Sequence, residues 1–157
     1  MEKKTAADAR AFCNSIGSKL FEPRDLPTNA FVASEAKARG LSQFWIGVGD
    51  VQTESTFRYD SNDESITWNN WNKGQPNNYG VGEDCTAVGV TQISYSYGRE
   101  WSHELNLDSS VIGQWWDQQC HNLKGFVCES SGNEIAKKHF KKHTFKCTLL
   151  AYFYVKG

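Results

Sequence analysis

The chain has 157 residues, enough for one domain with a substantial core. Its net charge of −1 excludes a global field that would draw in nucleic acid. Six Trp, six Tyr and nine Phe point to a core of large rings, or to rings that also serve a binding face.

The charge is uneven. Residues 1–128 carry 11 Lys and Arg against 16 Asp and Glu, whereas residues 129–157 carry 6 against 2. An acidic body with a basic tail suits a cation site in the body. The five cysteines are Cys13, Cys85, Cys120, Cys128 and Cys147. They form no CxxC pair, so a zinc knuckle or thioredoxin-type site has no support. Wide spacing reads instead as disulfides and an oxidising compartment, hence a secreted or extracellular protein. No apolar h-region follows Met-Glu-Lys-Lys-Thr, so no signal peptide is visible: the start is missing or lies within a longer parent chain. No apolar run reaches transmembrane length.

In chain order, Thr5 to Gly17 predicts a helix. Thr5 and Asp8 have capping-box spacing, Ala9, Phe12, Cys13 and Ile16 share a face, and Gly17 ends it. Asp25-Leu26-Pro27-Thr28 opens a second helix with Phe31, Val32 and Ala36 inward and Gly40 at its end. The period then changes. Phe44 to Val48 is a buried-strand run. Thr56 to Tyr59 and Ile66 to Trp68 read as short strands around the polar turn 60–65. Cys85 to Val90, Gln114 to Asp117 and Gly125 to Cys128 complete the body. Residues 91–113 form a long polar excursion containing Tyr95, Tyr97 and Trp101. Helices first and short strands after predict an α+β fold.

From residue 130 the composition shifts. Ser130-Ser131-Gly132-Asn133 reads as a linker, Ile135 to His143 as a basic helix, and Phe145 to Val155 as an apolar strand-like run. The predicted organisation is a domain over 1–129 and a basic, then apolar, tail over 130–157. That tail is either disordered or an added strand at a sheet edge.

The densest chemistry lies in Gln75 to Cys85. Gln75, Asn77, Asn78, Glu83 and Asp84 place five oxygen-bearing side chains in ten residues, bent by Pro76, Gly80 and Gly82. Hard oxygen ligands in a loop suit calcium, which takes six to eight oxygens at about 2.3–2.6 Å. A solvated turn has the same composition. Catalytic motifs are absent. His103 and His121 stand alone, and there is no Gly-x-Ser-x-Gly, His-Glu-x-x-His or phosphate-cradling glycine loop, so the expectation is not an enzyme.

Taken together, the blocks resemble the C-type lectin-like domain over residues 5–129. They are Phe12-Cys13, Trp45-Ile46-Gly47-Val48, Trp68 and Trp71, Gln75-Pro76-Asn77, Glu83-Asp84-Cys85, Trp115-x-Asp117-x-x-Cys120 and Gly125-Phe126-Val127-Cys128-Glu129. Spacing alone leaves the cysteine pairing open. The resemblance implies Cys13–Cys128 and Cys85–Cys120, with Cys147 left over. It also implies two helices on short antiparallel sheets with a long irregular calcium-binding loop and a cis Pro76. It implies a Ca2+ site at Gln75, Asn77, Glu83 and Asp117, where sugar hydroxyls complete the coordination, with Tyr79 and Trp116 as further sugar contacts. An auxiliary calcium site would use Asp50, Glu54, Asn78 and Asp84.

Two departures stand out. Sugar-binding members carry Trp-Asn-Asp where this chain has Trp115-Trp116-Asp117, and Trp116 has no acceptor oxygen. Gln75-Pro76-Asn77 lies between the mannose-type Glu-Pro-Asn and the galactose-type Gln-Pro-Asp, and Tyr79 tips the expectation toward galactose. The expected partner is a carbohydrate. The alternative is a module that binds a protein, with the 91–113 excursion as its interface. The family's first strand has no counterpart here, because only four residues precede the first helix.

Overall fold

The computed structural model describes residues 3–80, 82–90 and 112–130 with their side chains, and 144–146 and 152–156 by backbone. Helix α1 spans Ala6–Ser15. The Thr5 hydroxyl oxygen accepts from the Asp8 N–H at 3.1 Å and its O–H donates to the Asp8 carboxylate at 2.8 Å. Asp8 thus closes the cap through the hydroxyl, because Asp is shorter than the Glu that usually reaches the backbone. Helix α2 spans Leu26–Ala38, with Asp25 capping the Thr28 N–H at 2.8 Å and Pro27 in the first turn. Gly17 and Gly40 follow the two helices with φ of 69° and 78°, the left-handed conformation that ends a helix cheaply only at glycine.

The strands are β1 (Lys19–Leu20), β2 (Gln43–Gly49), β3 (Arg58–Tyr59), β4 (Cys85–Gly89), β5 (Trp115–Gln118), β6 (Gly125–Ser130), β7 (Thr144–Lys146) and β8 (Tyr152–Lys156). Among the described residues they form one mixed sheet in the order β5-β4-β2-β6-β8-β7, with β1 on β6 and β3 on β2. The β2–β6 pair is parallel and the others are antiparallel. Helices plus a strand-rich half give the expected α+β architecture.

The sheet has two dry faces, and strand alternation assigns them. Phe44, Ile46 and Val48 of β2 join Val88, Val90, Trp115 and the α2 residues Val32, Ala33 and Ala36 in one cluster. Trp45 and Ala87 join Cys13, Ile16, Phe126 and Cys128 in the other, beside α1. Each helix therefore covers its own face. Disulfides Cys13–Cys128 and Cys85–Cys120 tie α1 to β6 and β4 to the turn after β5, as the resemblance implied.

Two expectations need correction. Ile66 to Trp68 is not a strand; only Ser65 bridges Arg58. Trp68 is held by its ring, edge-on to Trp115 at 5.3 Å, so packing replaces a ladder there. Only Arg58 and Tyr59 of the 56–59 run pair with β2. The short strand β1 carries no period long enough to see in sequence. In the tail, β8 pairs antiparallel with β6 from Phe126↔Lys156 to Ser130↔Tyr152, and β7 pairs with β8. The predicted helix from 135 to 143 and the 91–111 part of the polar excursion lie outside the described residues, as does Cys147.

Candidate calcium and sugar site

Asn77 and Asn78 tie the oxygen-rich loop to the end of β5. Asp117 is 1% exposed, yet its Oδ2 accepts from both the Asn77 N–H at 2.8 Å and the Asn78 N–H at 2.6 Å. A carboxylate that accepts two backbone amides holds the loop as a clamp. Its other oxygen, Oδ1, is buried without a partner. The Gln75–Pro76 bond is cis. The Gln75 side chain ends in a second buried oxygen without a partner, Oε1.

Across the loop, the Tyr79 N–H is shared by Asn77 Oδ1 at 3.1 Å and Glu83 Oε2 at 3.0 Å. The Glu83 N–H donates to Asn78 Oδ1 at 2.8 Å. Burial raises the Glu83 carboxyl pKa, the Tyr79 N–H opposes that, and the neighbouring Asp117 charge adds to it. Asn77, Glu83 and Asp117 are therefore gathered at one locus, and Gln75 precedes Asn77 by two residues in the same loop. The Tyr79 residue is 67% exposed beside it.

A buried polar oxygen without a partner costs about 1–3 kcal/mol. Two such oxygens with an amide and a carboxylate nearby make a hard donor set, and that set suits calcium. Among the described residues, no three His, Cys, Asp or Glu side chains converge on one point.

Trp116 lies elsewhere. It pairs with Ala87 in the β4–β5 ladder and is 4% exposed, and its ring lies over Gly89, where a side chain would collide with it. Trp115 and Asp117 point to the α2 face, so Trp116 points to the α1 face, away from the loop. The expectation that Trp116 touches sugar does not fit this placement: side-chain alternation turns the ring away from Asp117.

Three of the four auxiliary residues, Asp50, Glu54 and Asn78, line a cleft of about 250 Å³ together with Ser55, Asn77 and Asp117, whereas Asp84 is not part of its lining. Asp50 is 5% exposed; its Oδ2 accepts from the Ser55 N–H at 2.8 Å and its Oδ1 is buried without a partner. Burial first, then the charges of Glu54 and Asp84, push the Asp50 carboxyl up, against the Ser55 bond. Asn78 adopts φ 47°, a left-handed conformation that Asn tolerates better than most residues. Sequence reasoning missed Thr86, whose buried Oγ1 lacks a partner and which sits opposite Asp117 in the ladder. A threonine inside an apolar strand run was the available signal.

A family model described as the lectin C-type domain matches residues 2–130. Collectin-11 of Danio rerio is 30% identical over 128 residues, which cover 82% of this chain and 40% of that protein. Human collectin-10 is 27% identical over 128 residues, 82% of this chain and 39% of its own. The chain thus spans about two fifths of the collectins it matches. The mouse scavenger receptor C-type lectin carbohydrate-recognition domain superposes with a TM-score of 0.63 at 26% identity, covering 82% of this chain and 83% of that one. This is a family of lectins and not of enzymes. By fold, disulfides and sequence, the chain belongs to the C-type lectin domain family.

Proposed function

We propose that the domain is a calcium-dependent carbohydrate-binding module, secreted or extracellular in setting. Gln75, Asn77, Glu83 and Asp117 would hold Ca2+, which when bound supplies a Lewis-acidic centre for two neighbouring sugar hydroxyls. The observation that carries this reading is the buried, unpartnered Asp117 Oδ1 on a carboxylate that holds the loop by the Asn77 and Asn78 amides, with a second buried unpartnered oxygen, Gln75 Oε1, in the same loop. Asn77 and Glu83 orient through the shared Tyr79 N–H, so the loop is arranged before ligand arrives. The exposed Tyr79 ring is placed to cover an apolar sugar face, which favours galactose-type over mannose-type ligands. Asp50, Glu54 and Asn78, which line one cleft, would hold a second, structural Ca2+, with Asp84 acting on Asp50 through its charge.

A second reading rests on Trp116, which offers the loop no oxygen and lies on the other face of the sheet. A site one ligand short would bind calcium weakly, and the domain would then recognise a protein. Galactose- and mannose-agarose retention in calcium, with a chelator control, separates the two. Retention on galactose resin that disappears in Glu83→Gln supports the lectin. Blank resins and blank glycan arrays in calcium favour the protein-binding reading. The disulfides support an oxidising compartment. No helix among the described residues is long and apolar enough to cross a membrane.

A further inference from the structure

We propose that the cavity beside Lys124 binds a small organic carboxylate carrying a short apolar chain. This does not rest on the calcium and sugar reading. Lys124 is 9% exposed, and its backbone is locked in a two-way bridge with Lys4 at 2.9 and 3.0 Å. Its Nζ donates to Gln43 Oε1 at 2.6 Å and lies 5.3 Å from the Trp45 ring centroid. Both partners are neutral. The ion pairs among the described residues do not include Lys124.

Buried charges are usually met by an opposite charge, and an ammonium has three donors to spend. Among the described residues one donor is spent on an amide, the charge lies over a ring face, and Glu83 acts on it without forming an ion pair. The cavity at this point measures about 310 Å³, at the lower end of small-molecule sites. Lys3, Ser42, Gln43 and Lys124 line its polar part, and Leu41 and Leu123 its apolar part. Lys3 brings a second positive charge to the same space. Leu123 is 62% exposed although large and apolar. A carboxylate head at the two ammonium groups and a short hydrocarbon against the leucines satisfy both halves.

Burial, with Lys3 adding to it and Glu83 opposing it, lowers the Lys124 pKa to about 8. A bound carboxylate favours the ammonium, so affinity falls as pH rises through that value.

Butyrate, acetate and inorganic sulfate are titrated at constant ionic strength, followed by NMR shifts of the Gln43 side-chain amide and the Trp45 indole N–H. Saturable binding of butyrate at pH 7, tighter than acetate, is expected. Lys124→Gln should weaken it at least tenfold, as should raising the wild type to pH 10. Lys124→Arg keeps the charge, so it should retain binding and lose the pH dependence, which also covers a poorly folding Lys124→Gln. Absent saturation, undiminished binding by Lys124→Gln, or sulfate competing as well as butyrate would each overturn the assignment.

Discussion

Asn78 donates its backbone N–H to Asp117 Oδ2 at 2.6 Å across 39 residues of chain. This bond joins the two candidate calcium loci, because Asn78 belongs to one and Asp117 to the other. It also shows how a loop without regular structure is held: the β4–β5 ladder carries a buried carboxylate to the loop's amides.

Removing that clamp should loosen the loop. Asp117→Ala leaves the Asn77 and Asn78 amides without their acceptor, a loss of about 1–3 kcal/mol. Urea unfolding with an unchanged m-value measures it. A loss below a few tenths of a kcal/mol would show that water replaces the carboxylate.

Calcium should stabilise the wild type. At a hundredfold excess over Kd the gain is about 2.7 kcal/mol, read as a rise in Tm that chelator reverses. Glu83→Gln should shrink the shift sharply. Wild-type Tm insensitive to calcium would count against both loci.

Asp50 is a charge penalty waiting for a cation. Its folded pKa lies above the model-compound value of 3.8, so the ionised form is disfavoured at neutral pH and the cost falls as pH drops. Asp50→Asn should therefore match or exceed wild-type stability in chelator and fall behind it in saturating calcium. The crossover, seen by thermal melts in the two buffers, is the diagnostic.

Lys124 sets an alkaline signature. Its folded pKa of about 8 lies below the ordinary lysine value of 10.5, so between those limits the unfolded chain binds more protons. Stability should rise with pH across that window, relative to Lys124→Met, by about 3 kcal/mol. A flat difference between the two proteins from pH 7 to 10.5 would contradict this.

Gly89 has no room for a side chain under the Trp116 ring. Gly89→Ala should cost about 1–3 kcal/mol through overpacking, and leave the Asp117 face and its calcium response intact. Equal melting temperatures would place the ring elsewhere.

Much of this was legible in the chain itself. Thr5, Asp25, Gly17 and Gly40 bound two helices because caps and left-handed turns act over three or four residues. Cys13, Cys128, Cys85 and Cys120 fell in the order of a known family, and that order, not their spacing, implied the pairing found here. The oxygen-rich run from Gln75 to Asp84 was visible as composition. The tertiary structure alone decided which oxygens lose their partners and which way neighbouring side chains face. Trp116 follows Trp115 and precedes Asp117, and the sequence places all three together. The β4–β5 ladder separates them, sending Asp117 to the loop and Trp116 across the sheet onto Gly89, because successive side chains of a paired strand must leave on opposite faces.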